Sequence, residues 1–216
     1  MPQSLPERIY HLAEASNWPS IQRVGLHCAS ALFDHAAVSL QRRSQLERRQ
    51  RLTHSTLPGG VQIRDQRPLP ARALASCLVG LSPAEWYAMI NARVFFWLDS
   101  RRLNRQRRAC GTRPQIVLTL DSKRLIDAYA ERVEMTAINS GNARRKPAVR
   151  GAATFVSYRD WTHSRWAVEA YGLRIRQRPR SHRPVELTVL GSIPDAMTFI
   201  VDTCPLDAGE LFVPPD

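Results

Sequence analysis

The stretch Val185–Ile193, VELTVLGSI, sets one carboxylate, Glu186, inside an otherwise apolar strand. Strand side chains alternate with period two, so Val185, Leu187 and Val189 face one way and Glu186, Thr188 and Leu190 the other. Burying an unpaired charge costs several kcal/mol or forces the group to neutralise. Glu186 therefore needs a partner, a pocket or open water, and alternation alone is compatible with all three. Just upstream runs Arg174–Arg183, RIRQRPRSHR, with five arginines and no acid. Any fold of this chain has to set a half-polar strand beside a cationic loop.

The rest of the composition narrows the class. With 216 residues, 44% of them hydrophobic, the chain can bury one large core. A single domain is expected over residues 1–204, with an irregular, proline-containing tail over 205–216. No run approaches the ~18 apolar residues of a membrane span, and the N-terminus lacks a basic-then-apolar signal pattern. Cys28, Cys77, Cys110 and Cys204 are scattered without paired spacing. That suits a reducing, cytoplasmic setting better than a disulfide framework. The net charge of +12 rests on 31 basic residues, of which only Lys123 and Lys146 are lysine. Such an excess favours an anionic partner, nucleic acid above all.

Strands are expected at Arg8–Leu12, Val61–Ile63, Arg93–Leu98, Gln115–Leu120, Arg132–Thr136 and Thr198–Asp202, besides the one carrying Glu186. Asn17 reads as a helix N-cap before Trp18-Pro19, with Gly25 as the stop. One long basic helix is expected over Leu32–Leu52. Ser82-Pro83-Ala84-Glu85 is a capping box opening a helix to Asn91, and Asp99 caps an arginine-rich helix after it. A helix near Lys123–Tyr129, a loop over Asn139–Gly151 and a helix over Arg159–Tyr171 complete the list. Strands and helices mix without regular β-α-β alternation, which points to an α+β fold.

No metal-binding spacing or phosphate-loop motif is present: the six histidines are not in ligand spacing with each other or with cysteine. The remaining polar candidates form a set. His11 ends the first strand, Asn17 opens a helix, Arg64 follows a strand, Phe95, Phe96 and Trp97 offer flat rings, and Glu186 offers a carboxylate. Each also has a structural explanation, as strand end, cap, surface ion pair, core ring or solvated strand residue. Together they suit cleavage of an N-glycosidic bond in a dinucleotide. That reaction needs a pyrophosphate clamp, ribose contacts, a ring shelf and a carboxylate facing a developing cation.

Two segments carry a resemblance. IYHLAEASNWPSIQRVGL (Ile9–Leu26) and PVELTVLGSIPDAMTFIVD (Pro184–Asp202) resemble the opening and closing motifs of the DarT-type DNA ADP-ribosyltransferases. The middle of the chain, with RDQRPL, ARVFFWLD and INSGNA, looks closer to an uncharacterised DarT-like branch. The resemblance implies an ADP-ribosyltransferase fold, with split antiparallel β-sheets, peripheral helices and an NAD cleft. It implies Glu186, with Arg64, as the catalytic residues and Tyr10, His11 and Asn17 in the NAD site, to which the ring shelf read from the residues themselves adds Phe96. It implies Arg64 as the phosphate contact, with Arg67 as the competing alignment. The loop with Arg174, Arg176, Arg178, Arg180 and Arg183 would meet a nucleic-acid acceptor, a base of single-stranded DNA or RNA. It also implies NAD as substrate, no metal, and an antitoxin protein as partner of a toxin. Alternatives are an NAD glycohydrolase or RNA 2′-phosphotransferase on the same fold, or an inactive basic nucleic-acid-binding module.

Overall fold

Extended structure begins at β1 (Arg8–Glu14), where apolar side chains first recur on alternate positions. A single 3₁₀ turn leads into α1 (Trp18–Val24), which Gly25 ends. Gly25 has φ of 83°, and a Cβ there would meet the Pro194 carbonyl oxygen at 2.3 Å. Only glycine closes this helix against the turn before the last strand. The basic stretch expected as one helix is two, α2 (Ala29–His35) and α3 (Leu40–Arg48). They part at Ala37, whose φ of 48° is left-handed. A short hairpin of β2 (Ser55–Thr56) and β3 (Gln62–Ile63) follows, then α4 (Ala71–Ala75) and β4 (Leu78–Val79).

The capping box of α5 (Pro83–Asn91) forms in both directions: the Ser82 hydroxyl accepts from Glu85 N–H, and the Glu85 carboxylate accepts from Ser82 N–H at 2.7 Å. Next come β5 (Arg93–Trp97), α6 (Ser100–Ala109) capped by Asp99, β6 (Gln115–Asp121), α7 (Ser122–Tyr129) and β7 (Val133–Thr136). Beyond a loop lie β8 (Arg150–Gly151), β9 (Val156–Ser157), α8 (Tyr158–Ser164) and α9 (Ala167–Leu173). The single helix expected here breaks at Arg165, with φ of 56°. The chain finishes with β10 (Glu186–Leu190) and β11 (Ile200–Leu206). β11 runs two residues into the stretch assigned from sequence to an irregular tail, and Phe212 beyond it is buried against Leu103 and Val117. The computed structural model describes residues 5–215; residues 1–4 and 216, included in the expected domain and tail, lie outside the described residues.

Seven strands form one antiparallel sheet in the order β11-β6-β1-β5-β10-β7-β9. β1 and β6 pair through seven registered positions, from Arg8 with Asp121 to Glu14 with Gln115. β1 and β5 meet at one registered pair, Tyr10 with Trp97. The sheet is thus split into two halves, β11-β6-β1 and β5-β10-β7-β9, joined at a narrow seam. This is the expected α+β architecture of split antiparallel sheets with helices outside. The principal core packs Val94, Phe96, Leu187 and Val189 with Trp161 and Trp166 from α8 and the residues after it. The opposite face of β10 carries Glu186 and Thr188.

Candidate active site

Glu186 is 3% exposed and stands in register between Trp97 of β5 and Thr136 of β7. Its Oε2 accepts from the Thr136 hydroxyl at 3.0 Å and from Ser140 N–H at 3.1 Å. Oε1 has no hydrogen-bond partner among the described residues. Ser140's own hydroxyl sits beside the carboxylate without the geometry of a hydrogen bond, and it is buried with no other partner. Burial pushes the Glu186 carboxyl up to about 7, against the pull of Ser140, Thr136 and Arg150.

Arg150 shapes this corner. It is 1% exposed and has no carboxylate within ion-pair distance among the described residues. Its guanidinium donates to the carbonyls of Ala148, Ser140 and Asn142 at 3.1, 3.2 and 3.0 Å. The loop carrying INSGNA is therefore wrapped around one buried cation, and that wrapping presents Ser140 N–H to Glu186.

Glu186 and Arg150 open onto a cavity of about 740 Å³ that also takes in His11, Asn17, Arg64, Phe95 and Trp97. That volume is in the range of small-molecule and cofactor sites. Nine arginine or lysine side chains line it against three carboxylates, Glu14, Asp65 and Glu186. The described residues therefore give the site a cationic lining.

His11 contacts the Phe95 carbonyl through Nδ1 at 2.9 Å. Burial drives its imidazole down to about 4, helped by Arg64 and opposed by the Phe95 bond. A neutral ring facing a carbonyl must carry its proton on Nδ1, so Nε2 is left as an acceptor. Asn17 is at the N-cap position but makes no capping bond. Its amide pairs with the backbone of Gln62, donating to the carbonyl and accepting from N–H, each at 2.8 Å. It thereby pins β3 two residues before Arg64.

Arg64 donates through Nε to Glu14 Oε1 at 3.0 Å and through a terminal nitrogen to Gln115. Glu14, 3% exposed, also accepts from Gln115 at 2.6 Å and from Arg113 at 3.3 Å. Burial raises its carboxyl, but Arg64, Gln115 and Arg113 outweigh burial and hold it below the usual range.

The cavity thus gathers His11, Asn17, Arg64 and Glu186 from the ends of the chain and its middle. Other candidates lie off it. Phe96 is 1% exposed and packs in the core, because it pairs with core-facing Leu187; its neighbours Phe95 and Trp97 take the cavity side. Tyr10 does not line the cavity and meets Phe212 edge-on at 5.2 Å. Arg67 turns away, donating to the Leu52 carbonyl at 2.8 Å. The loop over 174–183 contributes nothing to the lining. Arg178 pairs with buried Glu169 at 2.7 Å, whereas Arg174, Arg176, Arg180 and Arg183 are exposed. Glu14, Ser140 and Arg150 escape sequence reading; the INSGNA motif is the one local hint to the last two.

The model of the family described as "Family of unknown function (DUF7002)" matches residues 7–200. The chain belongs to the DUF7002 family. Every residue of the Glu186 corner falls within that span. No curated protein matches this DUF7002 chain in sequence. Among solved structures it is similar to Thermus sp. 2.9 DarT in complex with NAD+, at 13% identity, covering 91% of this chain and 80% of that one, with a TM-score of 0.40. It is also similar to Thermus sp. 2.9 DarT in complex with ADP-ribosylated ssDNA, at 13% identity, 90% and 80% coverage and a TM-score of 0.39. Overlaps at that level leave the function of this DUF7002 chain to be argued from its own site. Among the described residues no group of three or more His, Cys, Asp or Glu could hold a metal ion, and no helix is long and apolar enough to cross a membrane.

Proposed function

We propose that the chain is an NAD-dependent ADP-ribosyltransferase that modifies a nucleic acid. The observation that carries this reading is Glu186: a buried carboxylate on a cavity wall, held through Oε2, with Oε1 making no hydrogen bond among the described residues. Fixed charge of this kind stabilises cationic character developing at a sugar carbon, and it is costly to keep for any purely structural end.

The residues present fit NAD. The cavity volume suits a cofactor-sized ligand. The cationic lining suits a pyrophosphate, and Arg64 is the arginine that β3 and Glu14 hold in place. Neutral His11 offers Nε2 to a ribose hydroxyl, and the orphaned Ser140 hydroxyl offers a donor beside Glu186. Phe95 and Trp97 supply ring surfaces.

In the proposed step the bond between nicotinamide and ribose C1′ breaks, and nicotinamide leaves with the bonding electron pair. A nucleophilic atom of the acceptor bonds to C1′ and gives up its proton. Glu186 Oε1 accepts from a hydroxyl of the nicotinamide ribose and faces the developing positive charge. In its ionised form Glu186 can also take the acceptor's proton. Ser140 N–H and Thr136 hold the carboxylate still, so its electrostatic work needs no reorganisation.

The test is nicotinamide release and oligonucleotide labelling by wild type and Glu186→Gln. Loss of one preorganised electrostatic contact costs about a hundred- to a thousandfold in rate. Activity of the folded variant within threefold of wild type would remove the mechanism. Nicotinamide release with no labelled oligonucleotide would make the protein a glycohydrolase.

A further inference from the structure

The sequence points to the 174–183 loop as the nucleic-acid contact, yet that loop stands off the cavity and is tied down internally. Besides the Arg178–Glu169 pair, Trp166 Nε1 donates to the His182 carbonyl at 2.9 Å, and His182 contacts the Ala137 carbonyl at 3.1 Å. The exposed arginines of that loop therefore lie away from the cavity, whereas other unpaired cations line the cavity itself.

One part of the lining is α6 and the turn after it. Arg105 lines the cavity and has neither an ion-pair nor a hydrogen-bond partner among the described residues. The next residue, Gln106, accepts from Trp97 Nε1 at 2.7 Å and fixes the indole on the cavity wall. A second part of the lining is the loop that continues from INSGNA. There Arg144 and Lys146 line the cavity; among the described residues Lys146 has no partner, and the Arg144 guanidinium donates only to the Arg67 carbonyl, at 3.3 Å. Arg145 and Lys146 both have left-handed backbones, with φ of 51° and 49°. Such strain in non-glycine residues persists where the surroundings over-determine it, and it clusters at ligand clamps.

Two cationic stretches and an anchored tryptophan lining one cavity make a site for a single strand: the cations follow the phosphates and the indole stacks a base. We infer that Arg105, Arg144 and Lys146 bind single-stranded nucleic acid at this cavity, a base stacking on Trp97. This deepens the transferase reading by naming the acceptor surface, and it rests on that reading for the chemistry that follows binding.

The test is oligonucleotide binding without NAD, followed by fluorescence anisotropy over a series of salt concentrations. Labelled single-stranded DNA, RNA of the same sequence and the DNA duplex are the probes. Arg105→Ser/Arg144→Ser/Lys146→Ser should lower the slope of log affinity against log salt by about 0.7 per lost contact, roughly two in all. Arg176→Ser/Arg180→Ser/Arg183→Ser should leave it unchanged. Trp97→Leu should weaken single-strand binding about tenfold with the slope intact. DNA and RNA differing in affinity, with the same dependence on the cavity cations, would identify the preferred acceptor and support the site. The site is overturned if the slope falls in the loop variant and not the cavity variant, if duplex binds as well as single strand, or if wild type binds no strand at low salt. Melting curves verify that each variant is folded. Because binding is read without chemistry, an active Glu186→Gln enzyme would sink the transferase reading alone, and an unchanged slope in the cavity variant would sink this surface alone.

Discussion

Two titrating groups in the cavity have opposite effects on stability. Glu186 is raised from the ordinary carboxylate value to about 7, so the folded state holds a proton that the unfolded chain has lost. Its stability contribution is full at acid pH and is lost as pH rises from about 4.5 through 7. His11 is lowered to about 4, so its contribution is full above about 6.5 and is lost as pH falls toward 4. Across the shared window the two nearly cancel, each at most about 1.4 kcal/mol per pH unit. Glu186→Gln should therefore gain stability with rising pH between about 4 and 6.5, and His11→Gln should lose it. Urea midpoints at several pH values check this; parallel profiles for the two variants would refute it. Nicotinamide release should rise through pH 7 as Glu186 ionises, a limb absent from Glu186→Gln. The Arg64–Glu14 pair allows a second test. Removing one partner of a buried pair leaves the other uncompensated, at about 3 kcal/mol. Arg64→Ala should thus destabilise by roughly that amount, and Glu14→Gln/Arg64→Ala should recover more than half of it. Additive losses would mean that Arg113 and Gln115 suffice for Glu14.

The element that holds the site together is the loop from Ile138 to the Arg150 strand. Arg150→Met keeps the apolar stem but leaves three carbonyls without their donor. The expected loss is roughly 2–4 kcal/mol, with faster hydrogen exchange at Ser140 N–H. Unchanged exchange there would show that the loop keeps its shape unaided. Elements closed by local chemistry were legible in the sequence. Ser82 with Glu85, Asp99 before α6 and Gly25 after α1 mark helix ends within a few residues of themselves. Elements ended by backbone strain were not. Ala37 and Arg165 adopt left-handed φ with no residue-type signal, so two helix pairs read as two single helices. The site divides the same way. Glu186 stands out because it breaks an apolar alternation, whereas Glu14 matters through Arg64, Arg113 and Gln115, fifty or more positions away. Alternation alone could not say which ring of Phe95-Phe96-Trp97 turns inward; the pairing of Phe96 with Leu187 decides it.

For the whole molecule, a charge of +12 and a cavity whose charged lining is mainly cationic make a long-range funnel for anions. Association of an oligonucleotide should slow steeply as ionic strength rises, while dissociation changes less. Stopped-flow traces at several salt concentrations would test this, and an on-rate indifferent to salt would contradict it. The seam between β1 and β5 has a consequence of another kind. A sheet fastened there by one registered backbone pair and the His11–Phe95 contact is strong along its strands and weak across that line. His11 sits on one bank and Glu186 on the other, so a molecule grasping both would act as a staple, supplying the cross-link that the backbone omits. Ligand binding should then do more than raise the melting temperature. It should slow hydrogen exchange most at the β1 amides facing β5, welding two half-sheets into one mechanical body.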